Sequence, residues 1–144
     1  MTIKPRAARA LKDARARLRD AAAAAHSTAA AVRDRSAREL ETEHESLETA
    51  LDAATSMLAA ARTVHELDRV AADTGAYRLS VEDATQRHAE ATAATATAAD
   101  KLRERTRQLK TAERVVDLID EHRARRESRA EQRRVDDMAS RRRP

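Results

Sequence analysis

Between Pro5 and Pro144 the chain contains no further proline, and its single glycine is Gly75. Glycine supplies positive φ and proline presets turn geometry, so a chain this poor in both can change direction very few times. The same chain has one aromatic residue, Tyr77, and no cysteine, while alanine occurs 35 times and charged residues make up 38% of it. A compact globular core of this length normally draws on Phe, Trp and Tyr. Long helices held by a narrow apolar seam need only Ala, Leu and a surface of charge. Abundant charge also suits disorder, but Ala and Arg are strong helix formers and the apolar residues recur at helical spacing.

The sequence therefore predicts an all-α fold: one long antiparallel two-helix coiled-coil hairpin forming a single domain over residues 1–144. Pro5 suits the first turn of a helix, where its missing N–H would have no partner. Asp73-Thr74-Gly75-Ala76 carries a helix-stop glycine among turn-forming neighbours, and Ser80-Val81-Glu82-Asp83 reads as a capping box. These signals set helix one at about 5–72, the turn at about 73–79 and helix two at about 80–140. In helix two a heptad seam follows, with Val81, His88, Thr95, Leu102, Leu109 and Val116 at a, and Ala84, Ala91, Ala98, Arg105, Ala112 and Ile119 at d. In helix one the seam runs through Leu11, Ala14, Leu18, Ala22, Ala25, Ala29, Val32, Ser36, Leu40, His44, Leu47, Leu51, Ala54, Leu58, Ala61 and His65. Its spacing of four, four, four between Val32 and His44 predicts a locally unwound supercoil.

Folding at Gly75 sets residue i opposite a residue near 150 minus i. Residues 39–52 hold six acids and no base, and this register faces them with Lys101, Arg103, Arg105, Arg107 and Lys110. It also leaves Leu11, Leu18 and Ala21 to Ala25 opposite an arginine-rich stretch from Arg123 to Arg134. Arginine stems covering alanine surface is one reading of that end, and docking of another protein is the other.

Chemistry is excluded more readily than assigned. His26, His44, His65, His88 and His122 include no i, i+4 pair, so no metal site is expected, and one glycine cannot build a phosphate loop. Carboxylates alternating with arginine on solvated helix faces give no pocket in which to shift a pKa, so neither an enzyme nor a small-molecule ligand or cofactor is expected. The longest apolar run, Ala21 to Ala25, is far short of a membrane span or a signal peptide. Arg outnumbers Lys by 25 to 4, and both termini are basic. Nucleic acid is one partner for such charge, although interleaved acids, a net charge of +4 and the lack of stacking aromatics argue against it. An acidic protein surface is attracted equally well, and self-association through the seam stays open.

The hairpin, and a second helix passing from Ala112-Glu113-Arg114-Val115-Val116 through a charged segment to Glu131-Gln132-Arg133-Arg134-Val135-Asp136-Asp137-Met138-Ala139, resembles the flagellar export proteins of the FliJ family and the YscO group of type III secretion. The resemblance implies a non-catalytic, cytoplasmic coiled coil of a protein export apparatus, peripherally associated with the inner face of the cell membrane. It further implies docking in the export ATPase ring, contact with the membrane export gate and handling of export chaperones. By position, Arg9, Arg15, Arg17, Arg19, Arg123, Arg126, Arg133 and Arg134 are then the candidates for partner binding. The alternatives are a nucleic-acid-associated basic coiled coil and a generic dimerising scaffold.

Overall fold

A computed structural model of the protein describes residues 4–141. It is an all-α helical hairpin of two elements, α1 (Pro5–Ala60) and α2 (Val64–Arg141). Pro5 opens α1 as the sequence predicts, with the Lys4 carbonyl accepting from the N–H groups of Ala7 and Ala8 at 2.9 and 3.2 Å. Only residues 61–63 lie outside helix in the connection.

This connection corrects the expected turn at 73–79. Thr63-Val64-His65-Glu66 is the capping box that starts α2: Glu66 N–H donates to Thr63 Oγ1 at 3.3 Å, and Glu66 Oε2 accepts from the backbone N–H of Thr63 at 3.1 Å. The same carboxylate oxygen accepts from Arg62 N–H at 2.8 Å, so one acidic side chain satisfies two otherwise orphaned donors. Those bonds hold the Glu66 carboxyl below its ordinary pKa, the bond from Arg62 being the largest cause. Gly75 sits inside α2 with no positive φ, and Ser80 lies well past the first turn. A helical glycine costs only about 1 kcal/mol relative to alanine, less than breaking a continuous seam. That seam does continue: Val70, Thr74, Val81, Ala84, His88, Ala91, Thr95, Ala98 and Leu102 are buried or half-buried, in the heptad phase predicted for 81–119.

The chain forms two compact units, residues 1–22 with 101–144, and residues 23–100. In the second, three polar ties fix the alignment of the helices. Ser36 Oγ and His88 Nδ1 are 3.1 Å apart, Thr95 Oγ1 shares its proton between the Ala91 carbonyl at 2.8 Å and the Ala29 carbonyl at 3.1 Å, and Ser80 Oγ donates to Glu43 Oε2 at 2.6 Å. Residue i therefore faces a residue near 124 minus i, rather than 150 minus i. Because Ser36 Oγ also donates to the Arg33 carbonyl at 2.8 Å, His88 Nδ1 is the natural donor in their bond. Polar residues inside a seam penalise every register that would leave them unpaired.

In the first unit, Ala8, Leu109, Ala112 and Val116 are buried. Arg15 donates to the Gln108 carbonyl at 2.8 Å and Arg9 pairs with Asp120 at 3.0 Å. With Pro5 beginning α1, nothing in α1 lies opposite residues beyond about 120. Residues 121–138 are accordingly all exposed, a single helical arm. The expected packing of Leu11 and Leu18 against Arg123 to Arg134 is thus overturned.

The seam of α1 is corrected in part: Ala22, Ala29, Ser36, Leu40, Leu47 and Ala54 are covered as expected, while Leu11, Leu18, Val32, His44, Leu51 and Leu58 are exposed. Its covered positions run Ala8, Lys12, Arg15, Arg19, Ala22, His26 and Ala29, then Arg33, Ser36, Leu40, Glu43, Leu47, Ala50 and Ala54. These alternate at four and three without the predicted interruption, so no unwound segment is called for. Arg33 and Glu43 occupy places expected of Val32 and His44, both of which are exposed. Ala91, opposite Arg33, leaves room for that arginine stem to lie along the interface.

Candidate functional site

The arm explains how a helix persists with nothing to bury. Arg123 Nε donates to Glu127 at 2.7 Å, Arg125 to Glu121 at 3.3 Å and Gln132 to Asp136 at 3.1 Å, each four residues along the helix. Such pairs stabilise a helix from its own surface. The bond to Glu127 also raises the Arg123 pKa above its ordinary value. Arg126, Arg133 and Arg134 form no ion pair among the described residues and present their guanidinium groups to solvent.

The eight arginines predicted to bind a partner thus divide. Arg123, Arg126, Arg133 and Arg134 lie on the arm. Arg9, Arg15 and Arg19 are engaged within the hairpin, Arg19 with Asp20 at 3.0 Å, and its Nε is covered without a hydrogen-bond partner. Arg17 is exposed without an ion pair among the described residues. The two sets do not make one cluster: Arg9 meets Asp120, and the arm leads onward from there by about 1.5 Å per residue. Arg142 and Arg143, part of the basic C-terminus noted in the sequence, lie outside the described residues.

The unit formed by residues 23–100 has the opposite character. It holds 7 Arg and Lys against 14 Asp and Glu, a net of −7, whereas the other unit holds 22 against 11, a net of +11. Near the turn, an open groove of about 550 Å³ is lined by Ala50, Ala53, Met57, Val70 and Tyr77, with Glu45 and Asp73 on its edges. On the other side of the same hairpin Leu51, Leu58, Leu67 and Gly75 line a second groove, of about 330 Å³. A Cβ at Gly75 would meet nothing within 4 Å. No family model matches the chain, and no curated protein or solved structure matches it either.

Among the described residues, no three metal-ligating side chains gather, and no helix is long and apolar enough to cross a membrane. The grooves and their acidic edges escaped the sequence reading because the wrong register neutralised them. A usable signal was present: Leu67, Val70, Thr74 and Tyr77 continue the 81–119 heptad backwards through Gly75, which a turn there would interrupt.

Proposed function

We propose that this protein is a non-catalytic coiled-coil component of a flagellar or type III protein export apparatus. In this reading it couples the export ATPase to the membrane export gate, handles export chaperones, and works in the cytoplasm at the inner face of the cell membrane. The observation that carries the reading is the arm at 121–138, a self-supporting charged helix in which Arg126, Arg133 and Arg134 form no ion pair among the described residues. A helix whose polar groups are satisfied along its own length can enter an acidic ring or cleft without unfolding first, and its free guanidinium groups offer bidentate pairing to carboxylates. Co-purification with an export ATPase tests this. The chain binds, and Arg126→Glu, Arg133→Glu and Arg134→Glu together weaken binding by about tenfold or more. Absence of binding, or binding indifferent to these reversals, overturns the proposal.

The net charge of +11 on one unit favours a second reading, a nucleic-acid-associated coiled coil. Its measure is duplex DNA affinity against salt, where phosphate contacts produce a steep linear fall in log affinity. A flat or undetectable response removes it.

A further inference from the structure

In each unit one sign of charge predominates on both helices, although Arg9 of the basic unit does meet Asp120. The acidic run at 39–52 lies opposite roughly 72–85, where Asp73, Glu82 and Asp83 add to it and Arg78 is the only base. In the other unit, the alignment through Arg15 and Gln108 puts Lys12, Arg17 and Arg19 opposite a stretch containing Arg105, Arg107 and Lys110. A chain that concentrates opposite charges in separate units is complementary to itself. Apolar surface is left unmatched in the same way. Leu11 and Leu18, seven residues apart on one face of α1, remain 46% and 47% exposed, while the groove beside Met57 and Tyr77 stands open.

We propose that the chain dimerises with a second copy of itself, the basic unit of each copy lying along the acidic unit of the other. Leu11 and Leu18 of one copy seat in the groove formed by Met57, Val70 and Tyr77 of the second, with Arg17 and Lys110 reaching Glu45, Glu48 and Asp73. Closed two-fold exchange satisfies both units of both copies, as a symmetric dimer requires. The acidic run and the basic stretch near 101–110 are thereby brought together between copies rather than within one. The inference does not rest on the export reading: the arm takes no part, so either can fail alone.

Sedimentation equilibrium of the full chain, at about 100 µM and low salt, should give twice the monomer mass of 15.9 kDa. A single species at 15.9 kDa under those conditions overturns the proposal. Raising salt shortens the Debye length from about 10 Å at 0.1 M to about 3 Å at 1 M, and the dimer should weaken by about tenfold or more. Glu45→Arg with Glu48→Arg makes one variant, and Arg17→Glu with Lys110→Glu makes another. Each alone should dimerise at least about tenfold more weakly, while an equimolar mixture restores a dimer of the two different chains. Helical circular dichroism checks that both remain folded. Leu18→Glu, at a position already half in solvent, is the second probe and should also leave a folded monomer. Wild-type self-affinity in both charge variants, or failure of their mixture to associate, sinks the charge-exchanged arrangement.

Discussion

In α2, residues 81–119 present a covered position at every third or fourth residue, whereas residues 121–138 present none. Both stretches are unbroken helix. The first is held by what its seam buries against α1, the second by ion pairs and amide bonds along its own surface. Burial and i, i+4 pairing therefore substitute for one another locally, but they differ in strength and in response to solvent. Burying an apolar side chain contributes about 1.5–3 kcal/mol, whereas one surface pair contributes a few tenths.

Substituting leucines on either side of that distinction should give the largest effect. Leu109 is 9% exposed in the seam and Leu118 is 64% exposed on the outside of the same helix. Leu109→Ala should cost about 2–3 kcal/mol, toward the low end for core leucines because a two-helix seam is thin. Leu118→Ala should stay within about 0.5 kcal/mol of the unaltered chain. Urea denaturation of both measures the difference, and equal losses would show that the seam is not what stabilises the hairpin.

The next contrast is between the two capping signals. Thr63→Ala removes the hydroxyl that caps α2 and should cost about 1 kcal/mol, whereas Ser80→Ala removes no cap and should act only through the lost bond to Glu43. The Glu66 carboxyl adds a pH dependence of known sign. Its folded pKa lies below the ordinary glutamate value, so its contribution is present above that value and is lost as pH falls through the folded pKa. Glu66→Gln should flatten that part of an acid titration of stability. A titration of the same slope in both chains would detach the carboxylate from the turn.

Gly75→Ala should act in the opposite direction. In a turn requiring positive φ the change would destabilise, but inside α2, with open space around the new Cβ, it should stabilise by about 0.5–1 kcal/mol. A lowered melting temperature would restore the turn to residues 73–79.

Those three substitutions also mark where the sequence was readable. The all-α hairpin, the start at Pro5 and the heptad of 81–119 all follow from composition and period, because each depends on many residues agreeing. The turn depended on two local signals competing. Gly75 and Ser80 imitate a helix end, and Thr63-Val64-His65-Glu66 is a better one without any glycine or proline to draw attention to it. Misplacing the turn by about a dozen residues shifted every facing pair, from near 124 minus i to near 150 minus i. It therefore made Glu39 to Asp52 look neutralised by Lys101 to Lys110 and hid the arm. The α1 seam failed in part for another reason: hydrophobicity favoured Leu11, Leu18 and Val32, but the structure covers the neighbouring Lys12, Arg19 and Arg33 instead, whose long stems lie along the interface. Of the eight candidate arginines, position along the chain was legible. Which of them were already engaged depended on register, and so was not.

The smallest effect should come from the arm itself, and it separates the two kinds of helix most directly. Glu127→Gln removes the charge that accepts from Arg123, and exposed pairs of this kind are weak and screened by salt. The cooperative unfolding of the hairpin should not move, since residues 121–138 bury nothing against it. Amide hydrogen exchange should nonetheless quicken around residues 121–130 and leave Leu109 to Val116 as protected as before. Raising salt should reproduce this pattern in the unaltered chain, fraying the arm while the seam holds. If the arm's amides were as protected as those of the seam, and remained so in Glu127→Gln at high salt, then something other than its own ion pairs would be covering it. An arm already covered would not be free to dock.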